Sequence, residues 1–177
     1  MIATIMVLVP LLAGVLCLLP IGTKGLFRIS IAGAIASLAA VIYCCASPIN
    51  GTVIDTSVWY IDGLSAFFLL ISGFISFVTI LYSKDYLRTE WEEGHLNSRE
   101  MRWFYFTMFV FISTILLTFA VRSAALTWIG IGATTLVSAF LVGMYKDENA
   151  TEAAWKYVLL CSVGITLALF GISLIYA

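Results

Sequence analysis

The stretch WFYFTMFVFISTILLTFAV at 103–121, the dipeptide Arg122-Ser123 and the stretch AALTWIGIGATTLVSAFLVGMY at 124–145 together decide the fold. Each run has the roughly 20 apolar residues that a membrane-crossing helix requires. Neither run contains an acid, a base or a histidine. Arg122 and Ser123 leave room only for a tight turn, so the two runs read as successive helical spans. Helices are expected because backbone N–H and C=O groups in hydrocarbon must find partners within their own segment.

The same pattern continues on both sides. Further apolar runs occupy 2–20, 29–46, 63–83 and 153–177. The reading is an all-α integral membrane protein of about six transmembrane helices, a single transmembrane domain over 1–177. Composition agrees: 62% of the 177 residues are hydrophobic and 11% charged, against roughly 45–50% and about 25% in soluble domains. The net charge of −1 offers no basic surface for nucleic acid, and the spans leave no length for a soluble catalytic domain. The run at 2–20 has no basic residue before it, so it is read as a retained helix rather than a signal peptide. Pro10 is expected to kink it, which membrane helices tolerate.

Basic residues set the orientation. Lys24, Arg28, Lys84, Arg88, Arg99, Arg102, Lys146 and Lys156 fall in or beside the loops after the first, third and fifth spans, and only Arg122 lies on the other side. The loops 21–28, 84–102 and 146–152 are therefore expected in the cytoplasm, with both termini outside. Local caps are expected at Asp62 before the third span, at Thr89 with Glu92 for a short surface helix, and at Asn149 with Glu152 before the sixth. The loop 84–102 carries five acids and four bases. It reads as a solvated face, with docking of a peripheral subunit as the alternative.

Ionisable residues inside a membrane are functional candidates by default, and the apolar runs contain almost none. The polar material lies on the fifth span, where Thr127, Gly130, Ala133, Thr134 and Ser138 form a small and hydroxyl-bearing face. Such a face serves close helix packing; the same groups also suit a water wire. Cys17, Cys44, Cys45 and Cys161 match no metal spacing and read as small buried hydrophobes. His95, beside Glu92 and Glu93, has no second histidine to make a transition-metal site and reads as part of the solvated loop.

Three segments carry a resemblance. Asp62-Gly63-Leu64-Ser65 opens a helix that Tyr82-Ser83 closes. Ala133 to Gly143 reads ATTLVSAFLVG. Glu152-Ala153-Ala154-Trp155-Lys156-Tyr157 is followed by Cys161-Ser162-Val163-Gly164. These resemble the antiporter-like membrane subunits of complex I, of multisubunit sodium/proton antiporters and of membrane-bound hydrogenases, and above all the F component of hydrogenase-4 and formate hydrogenlyase-type complexes. The resemblance implies a proton- or sodium-translocating subunit in a prokaryotic plasma membrane, working beside other membrane and peripheral subunits. Nickel, iron and quinone chemistry would lie on those other chains, and no cofactor is expected on this one.

The resemblance also exposes departures. The family places a proton-carrying glutamate four residues after the tryptophan of the fifth helix, just before Ala-Thr-Thr. Here Gly132 occupies that position, between Trp128 and Ala133-Thr134-Thr135. The family chain is about three times longer, so the sequence reads as its N-terminal six helices, without the broken seventh helix and its lysine. The polar elements expected to remain on an ion path are Lys156, Thr134, Thr135 and Ser138. Lys156 reads equally as a lysine snorkelling to the cytoplasmic surface. The expected role is structural, or a partial ion path completed by neighbours. The alternatives are a stand-alone six-helix carrier or channel, and a non-functional remnant, which the ending Ile175-Tyr176-Ala177 without a polar tail would suit.

Overall fold

A computed structural model describes residues 2–94, 96–144 and 148–176. Six helices appear in chain order: α1 (Ile2–Cys17), α2 (Thr23–Ile49), α3 (Gly63–Glu92), α4 (Ser98–Ala120), α5 (Ala124–Val142) and α6 (Glu148–Tyr176). A two-stranded antiparallel hairpin, β1 (Ile54–Asp55) and β2 (Tyr60–Ile61), lies between α2 and α3. Helices α2 to α6 are long and apolar enough to cross a membrane. The chain is an all-α integral membrane protein. Helix α1 is apolar but has 16 residues, a length of about 24 Å.

Several expected boundaries need correction. The first helix stops at Cys17 rather than residue 20: Leu18 and Leu19 bond back three residues in a tightened last turn, and Pro20 disfavours a helical Leu19. Helix α2 starts at Thr23, ahead of residue 29, and runs into the 47–62 connection, taking Pro48 into its last turn. The stretch 84–102 is mostly helix rather than loop. Helix α3 continues to Glu92, and α4 begins at Ser98. Hydropathy marks where the membrane ends, and charged residues carry the helix past that point. Arg88 Nε donates to Glu92 Oε1 at 2.8 Å, one turn along α3. Thr89 therefore sits inside α3 and caps nothing; its hydroxyl donates to the Asp85 carbonyl. The cap in this region is at Asn97, whose N–H donates to the Glu100 carboxylate at 2.8 Å. Asn149 is the second residue of α6. His95 and Lys146 lie outside the described residues.

Helices α1 to α4 form a closed four-helix bundle, each packed on its neighbours in the order α1, α2, α3, α4 and back to α1. Helix α5 packs on α4, and α6 packs on α5. The core therefore sits within the first four helices, around Met6, Leu69, Ile80, Met101, Tyr105, Phe109 and Leu116, all fully buried. Lipid is as apolar as a leucine side chain, so burial of apolar surface drives helix association weakly in a membrane, and close approach at small residues decides it. Gly33 is such a point: a Cβ there would lie 2.6 Å from the Ala13 Cβ and 3.0 Å from the Phe109 ring. A polar bond adds to it. The buried Ser113 hydroxyl donates to the Val7 carbonyl at 2.8 Å, in the part of α1 where Pro10 removes a backbone donor.

One end of the bundle is tied together by the hairpin. Trp59 pairs with Val121, and the Arg122 N–H donates to the Val58 carbonyl at 2.9 Å. The Arg122 guanidinium pairs with Asp55. The Trp59 indole N–H reaches Thr4 Oγ1 on α1 at 3.1 Å. The start of α1, the α2–α3 connection and the α4–α5 turn thus meet at one end. Basic residues cluster at the other, as helical alternation requires. Asp62 caps α3, its carboxylate accepting from the Ser65 N–H at 2.8 Å.

The packing and the cap each predict an outcome. Gly33→Ala should lower the detergent-solubilised protein's unfolding temperature, with a destabilisation of about 1–3 kcal/mol, the usual cost of overpacking. The hydrogen bond from the Ser65 N–H holds the Asp62 carboxyl below its usual 3.8. A lowered folded-state value means that the cap contributes stability above the unfolded value and loses it as pH falls through the folded one. Asp62→Asn should therefore flatten the acid limb of a stability profile measured downward from pH ~5. An unchanged limb would remove Asp62 from the account.

Candidate functional site

Of the polar residues expected on the fifth helix, Thr135 and Ser138 lie along the seam between α5 and α6. Two hydrogen bonds hold this seam. The Trp128 indole N–H donates to the Ile165 carbonyl at 2.8 Å, and the Ser138 hydroxyl donates to the Tyr157 hydroxyl at 3.0 Å. The two α5 residues are ten apart, or about 15 Å along the helix. Bonds of this kind between membrane helices average about 0.6 kcal/mol, so the seam is held lightly. No residue in the most apolar stretch of α6 is buried.

Between these clamps lies a groove that Gly132 and Thr135 line from α5, and Cys161, Ser162 and Thr166 from α6. Its lining is mainly apolar, and the hydroxyls of Thr135, Ser162 and Thr166 each donate to a carbonyl one turn back on their own helix. A Cβ built on Gly132 would meet nothing within 4 Å. The glycine therefore does not serve close packing inside this chain. Gly130, one face round, does: a Cβ there would lie 2.4 Å from Thr118 Oγ1 and 3.3 Å from the Thr118 Cα. The small-residue face of α5 thus divides into a packed part against α4 and an open part toward α6.

The four polar candidates do not form one cluster. Thr135 lines the groove, and its hydroxyl donates to the Ile131 carbonyl at 2.5 Å. The Thr134 hydroxyl shares that acceptor at 2.7 Å, but Thr134 does not line the groove. Ser138 belongs to the clamp with Tyr157. Lys156 stands apart. It is two residues from the groove-lining Val158, which at 100° per residue puts it on the far face of α6. Its ammonium pairs with Glu152 one turn earlier at 2.5 Å, both side chains being more than 60% exposed. Glu152 is thus the ion-pair partner of Lys156. An exposed pair of this type contributes little to stability. Sequence reasoning missed Ser162 and Thr166 because hydroxyls on an otherwise apolar helix carry no signal until the facing helix is known.

The contrast between the two glycines is directly testable. Gly132→Ala should leave the unfolding temperature unchanged or slightly raised, since alanine is the better helix former by about 1 kcal/mol. Gly130→Ala should lower it. Equal effects at both positions would contradict the division of the α5 face.

Comparison with known proteins adds a second, independent line. Residues 48–95 match the family model described as NADH-ubiquinone oxidoreductase (complex I), chain 5 N-terminus. Residues 121–177 match that described as NADH:quinone oxidoreductase/Mrp antiporter, transmembrane. A hydrogenase-4 component F homolog from Methylacidiphilum infernorum is 36% identical over 120 residues, covering 68% of this chain and 25% of that protein. NADH-quinone oxidoreductase subunit N from Dehalococcoides mccartyi is 27% identical over 119 residues, covering 67% of this chain and 23% of that protein. The chain spans about a quarter of the length of the curated relatives it matches. The polar seam between α5 and α6 lies wholly inside the second matched segment. On these matches and the all-helical membrane fold, the chain belongs to the family of antiporter-like membrane subunits found in hydrogenase-4, complex I and Mrp-type assemblies.

Proposed function

We propose that the chain is a membrane subunit of an energy-converting hydrogenase or complex I-like assembly in a prokaryotic plasma membrane, and that its α5–α6 groove forms part of a proton or sodium path completed by neighbouring chains. The observation that carries this reading is Gly132. It stands where the family resemblance places a proton-carrying glutamate, and it opens onto a groove floored by Thr135, Ser162 and Thr166. These hydroxyls each donate to a backbone carbonyl one turn back, which leaves their oxygens to accept from a file of water. They do not store a proton as a carboxylate does, so the charged stations of the path would come from neighbours. Thr134 and Ser138 extend the hydroxyl surface along α5. Lys156, exposed on the outer face of α6 and paired with Glu152, would meet a neighbouring chain. In this reading the loops 21–28, 84–102 and 146–152 face the cytoplasm, and the redox chemistry belongs to partner chains.

Two measurements test it. The tagged chain, extracted from native membranes in mild detergent, should bring hydrogenase or complex I-like subunits with it, identified by mass spectrometry. Recovery of the chain alone would sink the assembly reading and favour a stand-alone carrier or a remnant. Separately, Gly132→Cys in a Cys161→Ser background should react with a charged methanethiosulfonate reagent in those membranes. A thiol that stays unlabelled in assembled protein would show the groove to be dry, and the ion-path role would fall.

A further inference from the structure

A second groove lies on the opposite side of α5, between α4 and α5. Trp103, Phe106 and Val110 line it from α4, and Val137 and Phe140 from α5, with Met144 just beyond the end of α5. Its volume is about 370 Å³. Toward the basic end of the bundle it adjoins a mouth lined by Asn97, Arg99 and Glu100, and Trp103 and Met144 border both parts. The shared residues place the two hollows side by side, forming a slot that is mainly apolar and has charged side chains at one end.

The charges at the mouth are unequal in what they leave free. Glu100 already accepts from the Asn97 N–H. Arg99, one helical turn before Trp103, is exposed and forms no ion pair among the described residues. Arg102 uses only its Nε, which donates to the Ser98 carbonyl at 3.2 Å. The guanidinium ends therefore remain available at the depth where the apolar slot begins. Trp103, half exposed at the rim, is of the residue type that settles at the headgroup level.

We infer that this slot is a binding site for one anionic diacyl phospholipid. An acyl chain lies along Trp103, Phe106, Val110 and Phe140, and the phosphate pairs with Arg99. The match is of charge as well as shape: a membrane supplies an anion joined to a hydrocarbon chain, and the slot joins a free guanidinium to an apolar wall. Arginine suits phosphate because its planar fork can donate two parallel bonds. The site is independent of the α5–α6 groove and does not require an ion path there.

The test uses the full chain in nanodiscs and its tryptophan fluorescence, with brominated phosphatidylglycerol or brominated phosphatidylcholine as quencher. The signal of Trp103 is the difference between wild type and Trp103→Phe. Half-quenching of that signal should need about fivefold less brominated phosphatidylglycerol than phosphatidylcholine, the ratio expected from one basic residue at an anionic surface. Arg99→Gln should bring the two curves together without moving the phosphatidylcholine curve. Soluble glycerol phosphate should leave the preference intact. Native mass spectrometry of wild-type protein, which needs no variant, should show one retained phosphatidylglycerol after delipidation. Equal quenching by both lipids in the wild type would mean contact with bulk lipid only and would overturn the inference. A preference surviving Arg99→Gln, full competition by glycerol phosphate, or no retained phosphatidylglycerol would each overturn it too.

Discussion

Close approach at a few glycines is the constraint on which the helix arrangement depends. At Gly14 and Gly33 an added Cβ would meet Phe109 at 3.0 Å, and at Gly73 it would meet Val41 at 3.2 Å. These contacts bring α1, α2, α3 and α4 to a common centre. Without them little would hold the bundle, because a bilayer offers the same apolar contacts as another helix. Bonds such as Ser113 to Val7 are then placed by that approach rather than causing it. Gly130 does the same for α4 and α5 through Thr118. Between α5 and α6, Gly132 and Gly164 leave space, and the one glycine contact among the described residues is looser, from Gly143 to the Ala154 Cβ at 3.4 Å.

This difference separates the chain into a bundle that closes on itself and a helix pair that does not. The first four helices bury their own small and hydroxyl residues: Ser30, Ser37, Ser83 and Ser113 are all inside. Helix α6 rests on α5 through two hydrogen bonds and a groove. Its outer face carries Leu160, Leu167, Phe170 and Ile175, all largely exposed, together with the Lys156–Glu152 pair. An apolar face with one ion pair is compatible with lipid and with a neighbouring helix. The family's occurrence in multisubunit assemblies makes this the side on which a contact with a neighbouring chain is proposed.

The polar end made by the β-hairpin has a different logic. Outside the hydrocarbon the backbone can meet water, so short strands and an exposed ion pair are tolerated there. The Trp59 indole and the Asp55–Arg122 pair link three separated segments at that end. Arg122, in the two-residue turn, serves the hairpin through both its backbone N–H and its side chain.

Helical character, the approximate placing of the spans and the grouping of the basic loops at one end were legible in the sequence, because a bilayer imposes length, apolarity and a charge asymmetry that act on local composition. The family was legible too, in the runs around Asp62, Ala133 and Glu152. Helix ends were less so. A charged segment such as 84–92 is helix outside the membrane, and nothing in its hydropathy says where the helix stops. The cap at Asp62 could be read from residue type; that Thr89 lies within α3 and caps no new helix could not, since it depends on how far α3 continues. What only the tertiary structure decided is which polar residues share a space. Thr135, Ser162 and Thr166 are up to 31 residues apart in the chain and meet because α6 folds back along α5. Lys156, close to Ser162 in sequence, is carried to the other face by the helical period of 3.6 residues.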